Sequence, residues 1–537
     1  MATESSRAQV NERSSLLRAN QSSRRQLVWL DLLVWGPYIY FLLLCAGFAL
    51  LAFFTHRASK TATAPRIKER HQYFHYSFPH DFVWGSATSA YQIEGAVKED
   101  GRGVSIWDTF CKEPNVILDG SSGDVACDHY HQMEHDVLLM KIFRLKAYRF
   151  SISWPRILPN GAGEVNAAGV AFYNRLIDTL IANDIEPWIT LYHWDLPQTL
   201  EDEYGGWLGR DIVNDFGDYA RICFAAFGDR VRHWITLNES WTVAINGYNN
   251  GVHAPGRSEN PAIEPYIVAH HLILAHARAA GIYHTEFAPT QGGIIGVSHC
   301  ADFRYPLTDT HADRDAAERA MIFQLAWFAD PVFKGDYPQV MRQRLGDRLP
   351  QFTKEDKEEL LGSADFIGLN HYSSLLAHEP AEIPQYGGYW ADIFVDFSAK
   401  GDWRRNDMGW PIVPDGCREM LKWIAARYDN PIIFITENGS AEPEPFPELA
   451  LRDDARRDYL EGYIRACAEA IEEGIKLRGY FAWSFMDNFE WQFGYQRRFG
   501  LFRVDYETQV RTPKLSAEWY RETILCNGKN ILKTLAR

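Results

Sequence analysis

Eight short apolar runs, rich in β-branched and aromatic residues, recur at intervals through most of the chain. They are DFVWGSAT (81–88), AYRFSISW (147–154), EPWITLYHW (186–194), HWITLNE (233–239), GGIIGVSHC (292–300), DFIGLNHY (365–372), PIIFITEN (431–438) and LRGYFAWSF (477–485). Runs that are apolar at nearly every position predict strands that are buried on both faces of a sheet.

Segments with helical periodicity lie between these runs. Apolar residues recur at three- and four-residue spacing over residues 134–145, 171–182, 211–227 and 454–473. Strands that alternate with helices predict parallel βαβ units, and eight such units close into a (β/α)8 or TIM barrel. We therefore predict an α/β barrel over residues 73–527, followed by a short tail over residues 528–537. An open doubly wound sheet is the alternative, but no G-x-G-x-x-G motif follows any of the runs.

The N-terminal part of the chain differs in composition from the rest. Residues 1–31 are mostly polar and predict a disordered tail, and residues 55–72 predict a polar linker. Residues 32–54 (LLVWGPYIYFLLLCAGFALLAFF) contain no charged side chain, and about 20 apolar residues are enough to span a bilayer. We therefore predict a single transmembrane helix ahead of the barrel.

Two features of the sequence disagree about the orientation of this predicted span. The arginines that precede it favour a cytosolic tail and a barrel on the lumenal or extracytoplasmic side; they are Arg13, Arg18, Arg24 and Arg25. The N-x-[ST] pattern occurs in the barrel part at Asn238 and Asn438, both within predicted strands, where glycosylation would be harmful. We expect the lumenal side, with the cytosolic side as the alternative.

Composition excludes several other classes of partner. The net charge is −15 and no long basic run occurs in the large C-terminal part, so we expect no nucleic-acid partner. The eight cysteines form no C-x-x-C motif, and no close cluster of His, Asp and Glu suggests a metal site. We therefore expect neither a metal nor a cofactor. The 18 tryptophans suit stacking against sugars, although they could equally fill a large core.

Polar residues interrupt the apolar runs at their C-terminal ends, which form the active-site face of a (β/α) barrel. Glu239 ends the fourth run and Glu437 comes near the end of the seventh, and a lone buried carboxylate is costly. Paired carboxylates are the groups that glycoside hydrolysis uses, one as acid and the other as nucleophile or base. From the residues alone, either glutamate could instead be buried beside Arg149 or a metal.

Six motifs resemble those of glycoside hydrolase family 1, the β-glucosidases and their relatives. They are FVWGSATSAYQIEGA (82–96), YRFSISWPRI (148–157), YHWDLP (192–197), TLNES (236–240), ITENG (435–439) and AWSFMDNFEW (482–491). They occur in the family's order and cover nearly the whole of the predicted barrel. The resemblance implies a retaining β-glycosidase that removes terminal non-reducing β-D-glucosyl or related residues through a covalent glycosyl-enzyme.

The resemblance also implies a role for each matching residue. Glu239 stands at the acid/base position and Glu437 at the nucleophile position. The residues implied to hold the sugar ring are Gln92, His193, Asn238, Glu490 and Trp491, with Trp483 beneath it. Arg149 and Tyr372 match groups that hydrogen-bond the nucleophile and keep it ionised. Trp241 and Trp327 match walls of the aglycone site.

One residue departs from the family pattern, because Ser240 follows the acid/base glutamate where the family usually has proline. Serine can follow the same backbone path without fixing it, so we expect the acid to be tuned and not lost. A transglycosidase, or a membrane-tethered carbohydrate-binding pseudoenzyme, is the alternative function. Pseudoenzymes of this kind typically lose one catalytic glutamate, and both are present here. A 6-phospho-glycosidase is disfavoured, because an anionic Glu490 would repel the phosphate.

Overall fold

The protein is described by a computed structural model over residues 75–382, 387–444, 446 and 450–531. The predicted tail, span and linker, and most of the predicted C-terminal tail, lie outside these residues. Within them, no helix combines the length and apolar character that crossing a bilayer requires.

Eight parallel strands close into a barrel in the order β1-β8-β7-β6-β5-β4-β3-β2. They are β1 (Val83–Ala87), β2 (Ala147–Ser151), β3 (Glu186–Tyr192), β4 (His233–Asn238), β5 (Ile294–Cys300), β6 (Phe366–Asn370), β7 (Ile433–Asn438) and β8 (Leu477–Trp483). The barrel closes where β1 pairs with β8, from Val83 opposite Gly479 to Ala87 opposite Trp483. The prediction of a (β/α)8 barrel is confirmed.

A long helix follows each strand in the described chain. These helices are α1 (His129–Ile142), α2 (Ala167–Ala182), α3 (Ile212–Phe227), α4 (Glu264–Ile282), α5 (His311–Met321), α6 (Pro414–Arg427), α7 (Asp454–Glu472) and α8 (Leu515–Leu525). A π-helical turn over Ile322–Ala326 extends α5 into a further helix over Trp327–Lys334. In α3, Phe216, Ala220 and Phe227 are buried at intervals of four and seven residues, which gives the helix the apolar stripe that packs inward.

Shorter elements lie in the connections between the barrel strands and the long helices. The short helices are Ala90–Ile93, Ile106–Phe110, Trp154–Ile157, Gln198–Tyr204, Gly206–Leu208, Ser240–Tyr248, Tyr283–Phe287, Ala288–Gln291, Gln339–Leu345, Gly346–Arg348, Lys354–Leu360, Tyr389–Ile393 and Trp491–Phe493. One small sheet joins Phe303–Pro306, Ser374–His378 and Asp396–Ser398, and another joins Phe502–Val504 to Arg511–Pro513.

Large aromatic side chains fill the interior of the barrel. The rings of Trp188, Phe366, Phe434 and Phe481 belong to one buried cluster, and the Trp188 and Phe434 centroids lie 4.8 Å apart. Trp483 and the partly buried Tyr372 belong to the same cluster. The interior is thus a packed core.

Candidate active site

A cavity of about 480 Å³ opens at the carboxyl ends of the strands, which is within the usual size range for small-molecule sites. Eight of the twelve residues singled out in the sequence line it: His193, Glu239, Trp241, Tyr372, Glu437, Trp483, Glu490 and Trp491. Gln92, Arg149, Asn238 and Trp327 are buried behind the lining. The strands therefore bring both predicted catalytic glutamates to one cavity.

Glu437 lies near the end of β7 and is paired with a buried cation. Arg149 of β2 donates to Glu437 Oε1 at 2.6 Å, and the Tyr372 hydroxyl donates to Oε2 at 2.7 Å. The same guanidinium donates to Asn238 Oδ1 at 2.6 Å and to Thr190 Oγ1 at 3.0 Å. Because its partners surround it, Arg149 holds Glu437 in a fixed place.

Glu239 follows β4 directly and has no cation as a hydrogen-bond partner among the described residues. Its backbone is left-handed, with φ 52° and ψ 62°, which turns the chain from the strand into the helix that begins at Ser240. Asn370 Nδ2 donates to its Oε1 at 2.8 Å, and Thr242 Oγ1 donates to its Oε2 at 2.7 Å. Ser240 thus begins a regular helix at the place where the family usually has proline.

The surroundings of the two carboxyls separate their ionisation. Burial, reinforced by the negative charge of Glu437, raises the pKa of Glu239 to about 7. Burial also raises the pKa of Glu437, but there the Arg149 cation and the Tyr372 hydrogen bond oppose the rise. Arg149 lowers the pKa of Glu437, but burial outweighs this effect. Of these two carboxyls, Glu239 is the one whose surroundings favour the protonated form.

The remaining polar residues of the cavity floor offer unused hydrogen-bonding groups. Asn238 Nδ2 donates to His193 Nε2 at 3.1 Å, so His193 Nδ1 carries the hydrogen, and this nitrogen has no partner among the described residues. Burial, with Arg149 nearby, keeps the pKa of His193 well below its usual value, so the ring is neutral. Glu490 Oε2 is also buried and finds no partner within the described part of the chain, and burial together with Glu437 and Glu239 raises the pKa of Glu490 to about 8.

Gln92 and Asn238 are predicted to bind the sugar, but their amides are already occupied. Gln92 Nε2 donates to Asn488 Oδ1 at 3.0 Å and to the Phe489 carbonyl at 2.9 Å. Asn238 Oδ1 accepts from Arg149 and from Asn370 Nδ2, the latter at 3.0 Å. In this arrangement Gln92 supports the loop that carries Glu490, and Asn238 orients His193.

Aromatic rings form the apolar surfaces of the cavity. The Trp483 ring lies 5.8 Å from the His193 ring at 17°, and the Trp491 ring packs 4.5 Å from that of Trp194. Trp241 lies in the wall of the outer part and contacts Tyr389, with ring centroids 5.7 Å apart.

Trp327 does not form the aglycone wall that the sequence resemblance implies. Its side chain is fully buried and stacks on Tyr389, with centroids 6.0 Å apart and an interplanar angle of 16°. Tyr389 in turn contacts Trp241, which does face the cavity. Trp327 therefore lies one layer behind the wall and supports it.

The structure brings to the site several residues that the sequence motifs do not single out. Asn370 ends β6 and Thr242 lies in the helix after β4, and both hold Glu239. Trp194, His253 and Gln324 also line the cavity. Asn370 and Trp194 stand inside or at the end of predicted strands, so their position at the carboxyl ends was the available signal.

Two buried carboxyls in one cavity at the mouth of a (β/α)8 barrel, one beside a cation and the other with a raised pKa, are the arrangement of a glycoside hydrolase. Residues 74–529 match the profile of glycosyl hydrolase family 1. The chain belongs to this family, and it is a retaining β-glycosidase.

Named relatives agree with this assignment. Beta-glucosidase 34 of Oryza sativa subsp. japonica is 48% identical over 471 residues, which cover 83% of this chain and 92% of that protein. Beta-glucosidase 42 of Arabidopsis thaliana is 49% identical over 472 residues, which cover 84% and 95%. A mutant of the rice Os3BGlu6 β-glucosidase, in a covalent complex with Glc from GA4GE, is 47% identical with a TM-score of 0.82, covering 83% of this chain and 99% of that one.

Proposed function

We propose that the barrel hydrolyses terminal β-D-glucosyl residues by double displacement, with Glu437 as the nucleophile and Glu239 as the acid and base. The observation that carries this assignment is the asymmetry of the two carboxyls. Arg149 and Tyr372 stabilise the charge of Glu437, whereas Glu239 has neutral donors and a pKa raised to about 7. One group is thus suited to attack and the other to donate a proton.

The two steps use the same residues in turn. In the first, Glu437 attacks the anomeric carbon, the bond to the leaving oxygen breaks, and Glu239 gives its proton to that oxygen. Glu437 is then an uncharged ester, so its contribution to the raised pKa of Glu239 disappears. With a lower pKa, Glu239 stays ionised, and in this form it can take a proton from the water that cleaves the ester. An acceptor sugar in place of water would give transglycosylation.

A neutral glucosyl ring fits the inner end of the cavity. Trp483 offers an apolar face, while His193 Nδ1 and Glu490 Oε2 offer a donor and an unpartnered oxygen for sugar hydroxyls. The covalently bound Glc in the Os3BGlu6 mutant supports both the glucosyl preference and the covalent route.

We also propose that residues 32–54 form a membrane anchor, with the barrel on the lumenal or extracytoplasmic side. The uncharged length of this segment and the arginines before it support the proposal. The proposal concerns residues outside the described part of the chain, so it depends on the sequence alone.

Azide rescue tests the two assignments separately. Glu437→Gly is expected to lose nearly all activity on an aryl β-glucoside, and azide is expected to restore turnover as the α-glucosyl azide. Glu239→Gly is expected to give the β-azide, because azide then attacks the covalent intermediate in place of water.

The control is Glu469→Gly, which removes a partly buried glutamate paired with Arg418 and away from the cavity lining, and it should show no azide effect. Release of the α-anomer as first product by the unmodified protein, observed by proton NMR, would overturn the retaining mechanism.

A further inference from the structure

The hydroxyl of Thr242 is one of the two hydrogen-bond partners of Glu239 that the sequence resemblance does not account for. Thr242 is the third residue of the helix Ser240–Tyr248, is buried, and borders the cavity. Its Oγ1 lies 2.7 Å from Glu239 Oε2 and 3.3 Å from Cys300 Sγ. One hydroxyl therefore joins the proposed acid to a thiol at the end of β5.

The two partners of Glu239 are chemically different. The Asn370 amide nitrogen can only donate, so it holds Oε1 in the same way in both protonation states. A threonine hydroxyl can donate or accept. When Glu239 is protonated, Thr242 can turn its hydrogen towards Cys300 Sγ, and when Glu239 is ionised it can donate to Oε2.

We propose that Thr242 is a positioning residue that fixes the carboxyl of Glu239 and donates to Oε2 as the proton leaves for the glycosidic oxygen. This inference depends on the proposed acid/base role of Glu239. The O–H bond of Glu239 breaks, a new O–H bond forms on the leaving oxygen, and the electron pair left on the carboxylate is stabilised by the Thr242 hydrogen bond. That hydrogen bond is stronger to the ionised carboxylate than to the acid, so it favours the transition state over the ground state.

Backbone geometry explains why such a restraint is useful here. Glu239 adopts a left-handed conformation between β4 and the helix, and Ser240 does not fix the next φ as proline would. The carboxyl then depends on its two hydrogen bonds for orientation. Loss of one of them leaves the acid free to rotate away from the leaving oxygen.

The test measures kcat/KM for a series of β-glucosides whose leaving groups differ in acidity. Thr242→Val removes the hydroxyl with little change in volume. For an alkyl glucoside, which needs the acid, kcat/KM is expected to fall about tenfold, the effect of one hydrogen bond to a charged group. For the 2,4-dinitrophenyl glucoside, which leaves without a proton, it is expected to stay within about twofold. The alkaline limb of the pH profile is also expected to move up, because a donor to the ionised form is lost.

Two further variants separate positioning from structure. Thr242→Ser keeps the hydroxyl and is expected to restore both the leaving-group dependence and the pH profile. Thr236→Val removes a buried hydroxyl that contacts His276 and no catalytic carboxyl, and it should leave the ratio between the two substrates unchanged. If Thr242→Val leaves the ratio of kcat/KM between the two substrates unchanged, whether or not both values fall, the inference is wrong.

Glu239→Ala distinguishes failure of this inference from failure of the proposed function. If kcat/KM of Glu239→Ala depends steeply on the acidity of the leaving group while that of Thr242→Val does not, only the Thr242 inference is wrong. If neither variant shows the dependence, the acid/base role of Glu239 is wrong as well.

Discussion

Arg149 is the residue that makes the surroundings of the two catalytic glutamates different. It is buried, and its guanidinium donates to Glu437, Asn238, Thr190 and a backbone carbonyl at 2.6–3.0 Å. A cation so fully engaged cannot be exchanged for lysine without losing several hydrogen bonds, because lysine lacks the planar fork. Its removal would leave Glu437 buried and uncompensated, which is costly.

The coupling between the two carboxyls predicts the pH dependence of activity. Glu239 must be protonated in the free enzyme and its pKa is raised to about 7, so kcat/KM is expected to fall as the pH rises through about 7. In Glu437→Gln the neighbouring charge is gone, so the pKa of Glu239 is expected to move down towards its usual range. Carbon-13 NMR of labelled glutamate, assigned through Glu239→Gln, would measure this change.

Glu442→Gln is the control for this titration, since Glu442 hydrogen-bonds Ser440 and neither catalytic carboxyl among the described contacts. An unchanged titration of Glu239 in Glu437→Gln would mean that burial alone sets its pKa. The coupling on which the two-step mechanism depends would then be absent.

At this scale the apolar runs reveal the two catalytic carboxyls, while Glu490 is implied only by the family resemblance. Glu239 and Glu437 stand out because carboxylates are unusual in apolar strands. Asn370 and Thr242 do not, since an amide or a hydroxyl in a strand or helix is ordinary, and only the folded geometry shows that both meet Glu239.

Six of the eight barrel strands end earlier than the apolar runs predict, and in β3 and β4 the difference lies at residues of the site. The fourth run extends to Glu239, but β4 ends at Asn238 because Glu239 is left-handed. The third run extends to Trp194, but β3 ends at Tyr192, and Trp194 has a φ of 77°. Periodicity locates a strand, whereas the residue at which the backbone leaves the sheet depends on tertiary contacts.

Helix boundaries and small sheets are likewise poorly predicted by periodicity. Helix α1 begins at His129, five residues before the predicted start, because its first turn is polar and lacks the periodic signal. The small sheet built from Phe303–Pro306, Ser374–His378 and Asp396–Ser398 was not predicted, since strands this short carry little pattern.

Trp327, which begins the helix after α5, and Trp241, which lies in the helix after β4, are expected to affect different properties. Trp327→Ala is expected to lower the melting temperature, because removing a fully buried tryptophan costs about 3–5 kcal/mol. Trp241→Ala is expected to change the ratio of kcat/KM between aryl and alkyl glucosides, because Trp241 faces the cavity. Calorimetry and initial rates on both substrates would measure these effects. A change of substrate ratio in Trp327→Ala without loss of stability would contradict the supporting role.

On the scale of the whole molecule, the anchor proposal predicts where the barrel is found. The full chain is expected to stay with membranes after alkaline carbonate extraction, and a chain lacking residues 1–72 is expected to be released in active form. Protease added to intact microsomes should digest the tail and spare the barrel. Digestion of the barrel without detergent would place it on the cytosolic side, and release of the full chain by carbonate would exclude the anchor.

Closure of the barrel through β1 and β8 has a consequence for synthesis of the chain. The first strand cannot complete its pairing until the last strand has left the ribosome, about 400 residues later. At roughly 5–20 residues per second, that is a delay of roughly 20–80 s. Asn238 leaves the ribosome about 240 residues before β8 and Asn438 about 40 residues before it, so Asn238 waits much longer than Asn438 for the closed barrel in which both are buried. In a secretory compartment, the time between synthesis of each asparagine and closure of the barrel would therefore limit how often that asparagine is glycosylated.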